Sequence, residues 1–198
     1  MQSISVEIVL IVLRACFMST DIEYQSSEMA SINIIEDIKN LNLDKDSGIV
    51  LFGEKPFTGI GIKKYSDGSY AEAISYNRGK KDGKRFKWFQ SGIKSYEADY
   101  TNNLLHGEVK SWWINGELRS ESNYANGKPH GVQKQWYDTG ALFKVMNMVN
   151  GKEEGLQKAW RKNGKLYVNY EAKNGRVFGL KRASLCYELA DEKVVFND

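Results

Sequence analysis

A glycine recurs every 24 residues through most of this chain, at Gly59, Gly83, Gly107, Gly131, Gly155 and Gly179. A second column falls nine residues later, at Gly68, Gly92, Gly116, Gly140 and Gly164. A third lies 20 residues after the first, at Gly79, Gly127, Gly151 and Gly175, with Asn103 in the remaining slot. Asparagine tolerates positive φ better than most side chains, so the exception obeys the same rule. A fixed period of this length marks stacked units that bury their apolar surfaces against one another.

Each unit reads as two strands and two turns. In the unit from Gly107 to His130, residues 108–114 form the first strand and 117–124 the second. Asn115-Gly116 between them reads as a two-residue hairpin turn, and the same slot holds Asp67-Gly68, Ser91-Gly92, Thr139-Gly140 and Asn163-Gly164. Residues 125–130 read as a longer turn into the next unit. The predicted fold is all-β: tandem 24-residue hairpins in one elongated antiparallel sheet. Five hairpins, starting at 59, 83, 107, 131 and 155, would span roughly 48 Å. The array is assigned to residues 57–180, with a cap over 31–58 and a second over 180–198. Residues 1–30 stand apart as an N-terminal apolar segment.

The recurring pattern is a glycine, an aromatic pair, Asn-Gly-Lys/Glu-Leu, a tyrosine and Asn-Gly-Lys-x-x-Gly. It resembles the bacterial variant of the MORN repeat, which occurs in proteins labelled YwqK-family antitoxins. The lead-in Lys55-Pro56-Phe57-Thr58-Gly59 also resembles the segment that opens such arrays. The resemblance implies an elongated sheet and a role in protein or membrane interaction. It brings no catalytic residues with it.

Strand alternation sorts the side chains onto two faces. Pairing across a two-residue turn places Tyr65, Phe89, Trp113 and Tyr137 with Tyr70, Leu118, Leu142 and Leu166, and with Tyr76, Tyr100, Tyr124 and Met148. This is the expected apolar face. The opposite face carries Trp88, Trp112, Trp136 and Trp160, with Lys110, Lys134 and Lys158 two residues before three of them. Glu97, Glu121, Asp99 and Glu171 join that face. A single-layer sheet leaves one face wet, so the Trp/Lys ladder is the candidate binding surface. Its rings suit a sugar or a protein partner, and its lysines suit an anionic strip. The plainer alternative is that the rings shield backbone hydrogen bonds and the lysine stems pack beside them.

Chemistry-bearing motifs are few. Gly59-Ile60-Gly61 opens no strand–helix unit, and there is no phosphate loop. The net charge of +3 lacks the concentrated field of a nucleic-acid binder. Cys16 and Cys186 make no disulfide framework. His106 and His130 occupy equivalent slots before a glycine and read as turn residues. No metal, cofactor or catalytic group is expected.

The apolar run Ile8-Val9-Leu10-Ile11-Val12-Leu13 is too short to span a bilayer, which takes about 20 residues. It reads as a signal core, or as a helix or strand of a cytoplasmic protein. Leu13-Arg14-Ala15-Cys16 resembles a lipoprotein box, with Cys16 as the lipidation site, although Glu7 and Arg14 depart from that pattern. The expected function is a non-enzymatic binding or scaffolding repeat protein with a protein partner, antitoxin-like in one form. The alternative is a cell-envelope lipoprotein that binds anionic lipid or polysaccharide.

Overall fold

A computed structural model describes residues 34–180, together with the backbone of strands Tyr187–Ala190 and Lys193–Phe196. The leader assigned to residues 1–30 lies outside the described residues, as does Cys16. Five antiparallel hairpins follow one another in a single sheet. Their strands are Gly59–Lys64 with Tyr70–Asn77, Lys80–Trp88 with Lys94–Thr101, Leu104–Trp112 with Leu118–Ala125, Gly131–Trp136 with Leu142–Val149, and Gly155–Trp160 with Leu166–Lys173. They are called repeats 1 to 5 below. The sheet is not wholly antiparallel: Ile35–Asp37 pairs in parallel with residues 60–62 at its first edge.

The two turns differ from the sequence expectation, and they trade roles. At Asn115-Gly116 the loop has three residues. Gly116 N donates to Trp113 O at 2.9 Å, and only the glycine has positive φ, at 89°. This is a type I turn followed by a left-handed residue and a bulge. The Asn115 side chain closes it instead, its Oδ1 accepting from Glu117 N at 3.1 Å. The two-residue turn lies at the other end of the hairpin. Asn126 and Gly127 have φ of 50° and 77°, both positive, as the mirror-image hairpin turn requires. Asn102-Asn103 makes the same turn with φ of 50° and 71°.

The bulge changes which residues face each other. Lys64, Trp88, Trp112, Trp136 and Trp160 pair with Tyr70, Lys94, Leu118, Leu142 and Leu166. The leucines and Tyr70 therefore belong to the tryptophan face, not to the tyrosine face where a two-residue turn would put them. Tyr76, Tyr100 and Tyr124 stay opposite the tryptophans, because the extra residue comes before them in the strand.

Successive hairpins are laced along both edges. At the two-residue turns, Asn103 N, Gly127 N and Gly151 N each donate at 2.8 Å to the carbonyl of Lys81, Leu105 and Pro129 in the preceding unit. At four of the repeat glycines the preceding residue adds a side-chain acceptor at the same place. Thr58, Asp82 and Glu154 accept the amides of Arg78, Asn102 and Asn174. His130 fills this slot too, with Asn150 N at 3.5 Å from its Nδ1, so its place in the fold is a turn cap. At the opposite edge, Tyr65 Oη and Tyr137 Oη donate to Trp88 O at 2.8 Å and Trp160 O at 2.9 Å, and Trp113 Nε1 donates to Trp136 O at 3.2 Å. These residues were expected as core, and their polar tips instead stitch each hairpin to the next. Phe89 holds the same slot in repeat 2 and has no donor.

The joints between repeats 3 and 4 and between 4 and 5 have a further clamp. The chain bulges there at Gly131 and Gly155, which frees backbone groups from the ladder. Gln133 Nε2 and Gln157 Nε2 each donate at 2.9 Å, to Asn123 O and Asn147 O, and Gln157 Oε1 accepts from Asn147 N at 3.2 Å. From the other face, the Asn123 and Asn147 side-chain amides donate to Val132 O and Leu156 O. Gln157 is fully buried, which is tolerable only because its amide is bonded.

The first hairpin is covered by residues 34–58. Strands Leu41–Leu43, Val50–Phe52 and Lys55–Pro56 make a small second sheet. Ile38, Leu41 and Val50 pack on Phe57, Ile74 and Tyr76. Val50 N donates to Gly79 O at 2.7 Å, and a Cβ on Gly79 would come within 2.7 Å of Val50 O, so this close approach requires glycine.

The edge lacing makes a stability prediction. Tyr137→Phe should cost about 1 kcal/mol by removing the bond to Trp160 O, and Phe89→Tyr should gain a comparable amount by reaching Trp112 O. Urea unfolding midpoints of the two variants should move in opposite directions.

Candidate functional site

The tryptophan face is built from alternate residues of every strand. Three rows run across it, perpendicular to the strands. The first holds Trp88, Lys94, Trp112, Leu118, Trp136, Leu142, Trp160 and Leu166. The second holds Phe86, Glu97, Lys110, Glu121, Lys134, Val145, Lys158 and Asn169. In the third, Lys84 faces Asp99, Glu108 faces Asn123, Val132 faces Asn147 and Leu156 faces Glu171. All four candidate tryptophans are partly buried, and each lies on the same side as the lysine or phenylalanine two residues before it.

The lysines are not a bare cationic strip. Lys110 Nζ is 2.9 Å from Glu108 and 3.6 Å from Glu121, and Lys134 reaches Glu121 at 4.0 Å. In repeat 2, Lys84 bridges Glu97 at 3.2 Å and Asp99 at 2.9 Å, while Lys94 reaches Glu97 at 2.8 Å. Lys158 is also engaged. Burial alone would raise the Glu97 carboxyl, but Lys94 and Lys84 outweigh it and hold the group below its ordinary range. Each pair is solvent-accessible and worth at most about 1 kcal/mol, so the row sets local charge more than stability.

The character of the face changes along the array. Repeats 2 and 3 present the paired charges. Repeats 4 and 5 present Val132, Trp136, Leu142, Val145, Leu156, Trp160 and Leu166, with Lys134 and Lys158 among them. Val132 is 40% exposed and Leu156 43%, high for aliphatic residues in strands.

The indole nitrogens divide in two. Trp113 Nε1 is used internally. Among the described residues the indole N–H groups of Trp88, Trp112, Trp136 and Trp160 donate to nothing. Ring contacts are also uneven. Trp88 packs against Phe86 at 5.8 Å and Tyr70 at 6.4 Å, and Lys94 Nζ lies 5.1 Å from the centre of the Trp112 ring. Among the described residues no aromatic or cationic group stacks on Trp136 or Trp160.

The tyrosine face is the drier one. In repeats 3 to 5 the buried residues Val109, Gln133, Gln157, Ala159, Tyr170 and Ala172 all lie on it. Burial and a hydrogen bond to Glu153 push the Tyr170 hydroxyl up to about 12. Arg85 is bound to Glu72 at 2.5 Å on this face, lies 5.9 Å from the centre of the Tyr96 ring and donates to the Tyr100 hydroxyl at 3.4 Å. Among the described residues no group of His, Cys, Asp and Glu could hold a metal ion, and no helix is long and apolar enough to cross a membrane. His106 lies within strand Leu104–Trp112, not in a turn as expected, and His130 lies one repeat on, just before strand Gly131–Trp136.

The sequence profile of the MORN repeat variant matches residues 105–126 and 129–150, which are most of repeats 3 and 4. The matched units resemble a repeat associated with protein and membrane binding. No curated protein matches the chain.

The Glu97 carboxyl is held below its ordinary range, so it contributes stability above that range and loses it as pH falls through its lower folded value. Stability should therefore drop below about pH 4.5. Glu97→Gln should flatten that part of the profile, measured as thermal midpoints between pH 7 and 3.

Proposed function

We propose that this protein is a non-enzymatic scaffold that captures a protein partner on the tryptophan face of repeats 3 to 5. The observation that carries the reading is the row of Trp112, Leu118, Trp136, Leu142, Trp160 and Leu166, with exposed Val132 and Leu156 on the same face beyond the lysine row. Large apolar side chains on the wet side of a sheet cost solubility, and regularly spaced Trp is the residue type that dominates binding energy in interfaces. An antitoxin-like neutraliser is one form that such capture takes. The role of Trp88, and of Lys110, Lys134 and Lys158, is to border the strip and to set register by charge.

Anionic lipid or an acidic polysaccharide is the weaker reading of the same face. Lys110 and Lys134 already share carboxylates, so their attraction for an anionic surface is partly cancelled within the sheet. The lipid-anchor reading of Cys16 belongs to the N-terminal segment and bears on where the capture takes place.

Leu156→Asp places a charge at an exposed position on the same face and should leave the fold intact while abolishing partner capture from a lysate. Circular dichroism checks the fold. Capture that survives both Leu156→Asp and Trp136→Ala would refute the reading.

A further inference from the structure

The indole donors on the strip have a spacing, and the spacing selects a ligand conformation. Trp112, Trp136 and Trp160 lie on every second strand, about 9.6 Å apart at the usual strand separation. Three chain geometries compete for that period. A polyproline II helix repeats every three residues, about 9.3 Å. An α-helix presents the same face after seven residues, about 10.5 Å. An extended strand presents one face at about 6.7 Å or 13 Å. The polyproline period falls short by about 0.3 Å per step, whereas the helix overshoots by about 0.9 Å.

Hydrogen bonding points the same way. The three indole N–H groups have no acceptor among the described residues. An α-helix has already used its carbonyls internally and offers none along its side. A polyproline II segment makes no internal hydrogen bonds, so all of its carbonyls are open to donors. Proline rings also stack well on aromatic faces, and Trp136 and Trp160 have such faces uncovered by other rings or cations among the described residues. Lys94 on the Trp112 ring closes the strip at its repeat 2 end.

We propose that the strip binds a proline-rich segment in the polyproline II conformation, running along the array and crossing the strands. Prolines at three-residue intervals sit against Leu118, Leu142 and Leu166 and between the indoles. Carbonyls one turn apart accept from Trp112, Trp136 and Trp160. From Trp112 to Trp160 is about 19 Å, so the bound stretch is about seven residues. The proposal rests on the reading of this face as the partner-binding surface, and it names the partner's conformation.

The probe is a twelve-residue oligoproline, titrated into the full chain with indole nitrogen labelling. The expected result is saturable movement of the Trp112, Trp136 and Trp160 N–H resonances, with little movement of Trp113, whose N–H is bonded to Trp136 O. Trp136→Phe keeps a ring and removes the donor, and should weaken oligoproline about tenfold. A Gly-Ser peptide and an acidic amphipathic helical peptide of equal length should leave the resonances in place. The proposal is overturned if oligoproline moves no indole at millimolar concentration, if Trp136→Phe binds it equally well, or if the helical peptide binds in its stead. An inert oligoproline together with Leu156→Asp still abolishing partner capture removes the polyproline proposal and leaves the face. Capture that survives Leu156→Asp and Trp136→Ala removes both.

Discussion

Side-chain parity is the constraint on which this structure depends. A strand shows alternate residues to alternate faces, and one inserted residue swaps every following side chain. The array keeps parity through ten strands because both turns are invariant in length. The left-handed glycine of one turn and the paired left-handed residues of the other hold each hairpin in the same register as the last. Only then does a tryptophan that recurs every 24 residues become a row on one face. The bulges are part of this constancy. Each occurs at the same slot, so it shifts all repeats equally.

The two faces divide the work. The tyrosine face supplies most of the dry contacts, and the glutamine clamps there satisfy backbone groups that the joints release. The tryptophan face supplies a surface. Within it, the charged row neutralises itself over repeats 2 and 3 and gives way to aliphatic residues in repeats 4 and 5. An array whose units look alike in sequence thus has one end lined with paired charges and another lined with aliphatic side chains. Small substitutions in a repeated frame, Val145 where Glu121 stood, are enough to do this.

The strand and turn count, the period and the all-β fold were legible in the glycine columns. So was the membership of the tryptophan face for Trp88, Trp112, Trp136, Trp160, Lys110, Lys134 and Lys158, because alternation within one strand does not depend on the turn. The partners across the hairpin were not legible. Asn115-Gly116 has the composition of a two-residue turn, yet the longer loop with an αL glycine uses the same dipeptide. That single ambiguity sent Leu118, Leu142 and Leu166 to the wrong face. The stitching role of Tyr65, Trp113 and Tyr137 was equally hidden, since it depends on a carbonyl in the next repeat, 23 residues away.

The sequence by itself determined the architecture, because backbone conformations that only glycine or asparagine adopt easily recur at fixed intervals and admit one kind of chain path. Tertiary structure decided the chemistry of the surface. Whether a lysine attracts an anion depends on the carboxylate beside it across the strand gap. Whether an indole N–H can serve a ligand depends on whether a neighbouring repeat has already taken it. Both are matters of distances between strands, and the order of residues along one strand does not contain them.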